Sequence, residues 1–313
     1  PDELVVECDN LTQTLKASGA FAGHDEATAG RINSLLERIP SSRRESWLGQ
    51  ANVAAALGFA WGEARFWCAA VEWLEKAVRS ESFDCPLRAV EQLANFRARL
   101  AVEEWKARRD KGVRATGTDL ARTEELIEMA ISDLELMCKR APTVERLNLL
   151  GAALKRKALI ASGKRMRQEG LSACADAYRR AFEQSDSKDA YSFTNWATAV
   201  LLMLHIEPRK PSTAIENIGP EAGHLRTVLQ AQETRDSDFW ASAGLADLDL
   251  VLLTASKLPR QVAKGPRGNP GIAARTRPSV EEDHVERIIE AYRHALARGA
   301  SPRERGSVIE NLD

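Results

Sequence analysis

The sequence predicts an all-α fold made of stacked helix pairs, and three observations carry that prediction. Strand signals are nearly absent, with no Asn-Gly or Asp-Gly hairpin between alternating apolar runs and few β-branched clusters. Ala, Leu, Arg and Glu dominate instead, and apolar residues recur at three- and four-residue steps, the helical period. Small and bulky residues also recur along the chain in the order that lets two helices cross closely.

The elements follow in order. Leu4 to Leu15 and Ile32 to Ile39 read as two helices around a Gly-containing turn at Ser18 to His24, and residues 1–40 are expected to cap the array. Trp47 and Ala51 open the first pair, completed by Ala70, Leu74 and Ala77. Ala130, Leu134 and Met137 form a second-helix triplet, followed by Pro142 as terminator. Leu147, Leu150 and Gly151 begin the next unit, and Cys174, Tyr178 and Ala181 supply its second helix, with cysteine as the small residue. Phe193, Trp196 and Ala197 start another first helix. Trp240 and Gly244 start the last, paired with Ile288, Tyr292 and Ala295. The repeat array is expected over residues 41–300. Inserted loops are expected at 207–220 and 257–279, where Pro and Gly concentrate, and a further helix is expected to start in 301–313.

These residues resemble the tetratricopeptide repeat superfamily over roughly residues 42–300, with a unit of about 34 residues. The resemblance implies a right-handed superhelical solenoid whose first helices line the inner wall. The spacing departs from the family between Gly151 and Cys174, where the unit is about 11 residues too long, which predicts lengthened helices. Two stretches, Glu145 to Lys157 (ERLNLLGAALKRK) and Asp189 to Ala199 (DAYSFTNWATA), resemble the repeat region of bacterial proteins that join such repeats to a caspase-like CHAT peptidase domain. The segment Ala291 to Glu304 fits the same group. That resemblance implies a sensing or scaffolding role beside a protease carried elsewhere, and no catalytic residue carries over.

Composition narrows the function classes. The 313 residues are 44% hydrophobic and 28% charged, with 44 Lys plus Arg against 45 Asp plus Glu. A balance this even gives no global field for nucleic acid or an anionic membrane. The apolar runs Val200 to Leu204 and Leu250 to Leu253 are too short to span a bilayer. Five cysteines without a C-x-x-C spacing read as free thiols in a reducing cytosol, so a cytoplasmic location is expected. The chain opens on Pro1 and stops after a helix-like start at Ser301, and it reads as a segment of a longer protein.

Sites of chemistry are then weighed against packing. Cys68, Cys138 and Cys174 lie in helical apolar patterns and are expected to be buried structural thiols. His24, His205, His224, His284 and His294 are expected at the surface, none at the four-residue step zinc helices use; no metal or cofactor is expected. The stretch Gly265 to Gly271 lacks the Lys-Ser or Lys-Thr of a phosphate loop. Lys155, Arg156, Lys157, Lys164, Arg165 and Arg167 form one basic cluster. Lys257, Arg260, Lys264, Arg267, Arg275 and Arg277 form another. They support an alternative reading as an RNA- or DNA-binding repeat, against which stands the lack of interleaved aromatics. Trp47, Trp196 and Trp240 are expected in the core, whereas Trp67 and Trp73, six apart, fall on different helical faces.

In the tetratricopeptide family the non-core positions of first helices form the binding groove. The groove candidates are therefore Asn148, Ala152, Lys155 and Arg156 on one unit and Tyr191, Thr194, Asn195 and Thr198 on the next. Such side chains clamp a peptide backbone or carboxylate by charge-assisted hydrogen bonds. The expected function is a protein-interaction module that binds a peptide or partner protein and regulates an effector.

Overall fold

The computed structural model describes residues 1–17, 26–80, 82–110, 117–207, 214–236, 239–257 and 278–298. Among these residues there are thirteen helices and no strand. They fall into two compact units, one holding Pro1–Ala177 and the other Tyr178–Arg298.

In the first unit, α1 (Asp2–Ala17) packs on α4 (Ala51–Glu63), with α2 (Glu26–Glu37) and α3 (Ser41–Leu48) beside it. Leu4, Cys8, Thr12 and Leu15 recur at three- and four-residue steps and form the buried side of α1. Helix α4 pairs with α5 (Trp67–Arg79), α6 (Leu87–Asp110) pairs with α7 (Gly117–Arg140), and α8 (Val144–Ile160) is followed by α9 (Lys164–Gln184). The first helices also touch one another, α4 on α6 and α6 on α8.

Close crossing depends on absent side chains. A Cβ on Gly58 would lie 2.6 Å from Leu74 Cγ, and one on Gly62 would lie 2.2 Å from Phe96 Cε2. The α4–α5 turn runs through Arg65 at φ 66°, a left-handed conformation that a branched side chain resists. The α7–α8 connection carries Pro142 as expected, and Thr143 then caps α8, its Oγ1 accepting from the Arg146 N–H at 3.2 Å.

The dividing line between units falls inside α9. The second unit continues with α10 (Ala190–Ile206), α11 (Ala214–Asp236), α12 (Phe239–Lys257) and α13 (Pro278–Ala297). Asp189 caps α10 by accepting from the Ser192 N–H at 3.3 Å. Phe182 of α9 stacks tilted on Phe193 of α10 at 5.3 Å. Helix α10 packs on α11 and on α12, α11 packs on α12, and α12 packs on α13.

Several expectations change. Trp47 lies in α3, separated from α4 by Gly49 and Gln50, and is half-buried rather than core. Cys138, at 5% exposure, fills the buried position next to the half-buried Met137. Residues 214–220, expected as loop, are the first turns of α11 with Pro220 inside it. The Gly219-Pro220 pair reads as a breaker, but Ile218, Ala222, Leu225 and Leu229 bury a helical stripe that outweighs one lost backbone hydrogen bond. Trp240 is 40% exposed, and Phe239 takes the buried place. The lengthened pair is present as expected: α9 runs 21 residues and reaches Cys174 only in its third turn. The turn at residues 18–24, residues 258–277 of the second inserted loop, and the helix start at 301–313 lie outside the described residues.

Candidate functional site

Within the first unit the three touching first helices place polar groups at unusual depth. Glu63 of α4 is 2% exposed, Arg99 of α6 8% and Arg156 of α8 6%. Gln92 and Asn95 of α6 are buried with them, and the Asn95 amide Nδ2 donates to Gln92 Oε1 at 3.1 Å. The Arg99 guanidinium stacks 5.1 Å over the Trp67 ring, which in turn packs on Phe96 at 5.3 Å. Charges at this depth persist only when paired or hydrogen-bonded.

The sequence candidates in this unit divide. Asn148 and Lys155 are half-buried, so part of each side chain meets solvent, whereas Arg156 and Ala152 are buried. Lys155 lies near enough to Cys174 to pull its thiol pKa down, but burial dominates and pushes it up to about 12. Gln92, Asn95 and Arg99 escaped the sequence reading because α6 puts Arg97, not a small residue, where Gly151 and Ala197 stand in α8 and α10. The missed signal is Leu93, Phe96 and Leu100, the spacing shared by Phe193, Trp196 and Val200.

In the second unit the candidates turn inward. Thr194 and Asn195 are each 4% exposed, and both donate to the Tyr191 carbonyl of their own helix, at 3.2 and 2.9 Å. They are helix-backed core groups, not docking groups. Tyr191 and Thr198 remain half-buried, and the Tyr191 ring meets Tyr178 edge-on at 5.9 Å. Ser242 of α12 is also buried and donates to Glu233 at 2.9 Å.

The first basic cluster is divided between the core, acid partners and the surface. Arg156 is inside, Lys157 pairs with Glu128 at 2.5 Å, Arg165 pairs with Glu169 at 2.8 Å, and Arg167 donates to the Ala161 carbonyl at 3.1 Å. Of the second cluster only Lys257, exposed at the end of α12, is among the described residues.

The thiols differ in burial. Cys8, Cys138 and Cys174 are buried, Cys85 is half-buried, and Cys68 is exposed, correcting the expectation for it. Burial, then Asp9 and Glu7, raises Cys8 to about 12; burial, then Glu72, also raises Cys68. A raised thiol holds little thiolate at neutral pH and reacts slowly. The histidines at 205, 224, 284 and 294 are exposed, and His24 lies outside the described residues.

Neither the curated proteins nor the solved structures give a match. Residues 67–202 match the family described as Tetratricopeptide Repeats-Sensor, from the first residue of α5 to the last turns of α10. That family is an interaction module, and the paired helices with touching first helices are its architecture. Residues 67–202 are therefore a region of the tetratricopeptide repeat superfamily.

Proposed function

We propose that the chain is a scaffold and sensor module that binds a peptide or partner protein and thereby regulates an attached or associated effector. A CHAT-type peptidase is the effector that the stretches 145–157 and 189–199 favour, in a bacterial cytoplasm. The observation that carries the reading is the row of touching first helices in the first unit, where the half-buried Asn148 and Lys155 stand on a wall that also buries Glu63, Arg99 and Arg156. Rigid walls lower the ordering cost of docking, and side chains with one face in solvent can exchange water for a ligand's backbone or carboxylate. In the second unit Tyr191 supplies an aromatic anchor with a polar tip.

Peptides selected by display against the intact chain test this. The paired change Asn148→Ala with Lys155→Ala should weaken a peptide bound to the first unit at least tenfold in calorimetry, with an unchanged melting temperature. Tyr191→Ala should do the same for a peptide bound to the second. Affinity indifferent to both sets would refute the reading. Binding of RNA or DNA oligomers that falls steeply with salt would support the nucleic-acid alternative instead.

A further inference from the structure

In this array a second helix has two working faces, and α13 shows only one of them in use. Its inner triplet Ile288, Tyr292 and Ala295 is buried, and the Tyr292 hydroxyl donates to Asp247 of α12. One step round the helix stand Val285, Ile289 and Leu296. The same register in α5 is Trp67, Val71 and Val78, beside the triplet Ala70, Leu74 and Ala77; Trp67 is 4% and Val71 6% exposed, and Trp67 packs on Phe96 of α6. In α7 it is Ile127, Ile131 and Cys138, at 1%, 5% and 5% exposure, and α7 packs on α8. In α13 Val285 is 41% and Ile289 38% exposed, with Leu296 half-buried. Among the described residues Val285 and Ile289 are thus left exposed where Trp67, Val71, Ile127 and Ile131 are buried, on a stripe that rises ~16 Å from Val285 to Leu296.

We propose that this face of α13 pairs antiparallel with the α13 of a second copy of the chain. The charges beside the stripe select that occupant. Glu286 stands on its solvent side toward the N-terminal end and Arg293 toward the C-terminal end, seven residues apart on one side of the helix. A two-fold axis midway between them sets Ile289 against its own mate and brings each Glu286 to the other copy's Arg293. Within one chain Arg293 reaches Glu286 at 3.6 Å and Glu290 at 2.5 Å, and all three side chains are more than 60% exposed. Exposed pairs of this kind hold weakly and exchange readily. A two-fold contact of this type is self-complementary and closes at two copies.

Sedimentation equilibrium of the full chain tests the proposal. A monomer–dimer equilibrium is expected, with Ile289→Asp raising its dissociation constant at least tenfold at an unchanged melting temperature. Glu286→Arg should also weaken the dimer, and the swap Glu286→Arg with Arg293→Glu should restore it, because only the swap rebuilds both intermolecular pairs. A wild-type chain monomeric at every concentration would overturn the proposal. So would a fall in melting temperature on Ile289→Asp without change of mass, which would place the stripe against another part of the same chain. A dimer indifferent to all three variants would assign dimerisation to another surface.

Discussion

The two units carry the same helix pairing but spend polarity differently. In the first, charges cross between helices: Arg97 bonds Glu75 of α5 at 3.1 Å and Asp133 of α7 at 2.9 Å, and Arg146 bonds Glu91 of α6 at 2.7 Å, with the arginine side chains 13% and 11% exposed. In the second, much of the polar bonding is local or nearer the surface. Thr194 and Asn195 bond their own helix, and the Arg226–Asp249 pair between α11 and α12 has side chains 33% and 41% exposed. Both units thus carry directional contacts between neighbouring helices, but the first holds its arginine–carboxylate pairs deeper. A wall locked by buried charges suits a recognition surface, since its side chains are already held in place.

The largest expected effect tests that contrast. Arg146→Ala should destabilise the first unit by about 3 kcal/mol, because it strands Glu91 in a nearly buried site. Arg226→Ala in the second unit should cost less than about 1 kcal/mol, since its pair is screened by solvent. Urea unfolding followed by hydrogen exchange in peptides of each unit measures both. Equal losses would erase the distinction.

Packing tolerance comes next. Gly62→Ala would drive a methyl into the Phe96 ring and should cost about 2 kcal/mol, read in exchange of α4 and α6 peptides. Gly244→Ala meets a Leu229 side-chain methyl at 3.1 Å, which can turn aside, and the Ala190 Cβ at an ordinary 3.7 Å, and should change stability by less than about 1 kcal/mol.

Alkaline pH should separate the units further. Cys8 and Cys174 keep their protons to about 12 when folded, whereas the ordinary thiol value is 9.0. Above pH 9 the unfolded chain therefore binds fewer protons than the folded one, and stability falls as pH rises toward 12, by up to ~1.4 kcal/mol per pH unit per thiol. In the second unit Tyr292 is raised by burial, then by Asp247, from an ordinary value of 10.0, so its loss begins a unit higher. Unfolding curves from pH 8 to 11 should show the first unit weakening first, and Cys174→Ala should flatten its slope.

The smallest effect is a gain. Gly223 in α11 has nothing near the place a Cβ would take, so Gly223→Ala should stabilise the second unit by roughly 0.5–1 kcal/mol through helix propensity alone. Calorimetric melting would detect it.

Much of the fold was legible because pairing rests on local periodicity. Ala70, Leu74 and Ala77, or Cys174, Tyr178 and Ala181, announce a helix crossing wherever they occur, and all six are buried. Helix α6 escaped as a first helix because Arg97 occupies its small-residue place, and a pattern of residue sizes cannot anticipate an arginine held by acids on two neighbouring helices. The groove candidates were legible only as positions. Asn148 and Lys155 keep a solvent face; Arg156, Thr194 and Asn195 do not.

By itself the sequence determined the helical class, several of the helix pairs and a family likeness that takes in residues 67–202, since period and residue size act within a few turns of one chain. Only the tertiary structure decided which polar groups lie inside, that Cys68 and Trp240 face solvent, and that the Val285–Ile289 stripe is left uncovered. Burial is a property of a residue together with its neighbours. Those neighbours come from helices far apart in sequence, so no local pattern contains them.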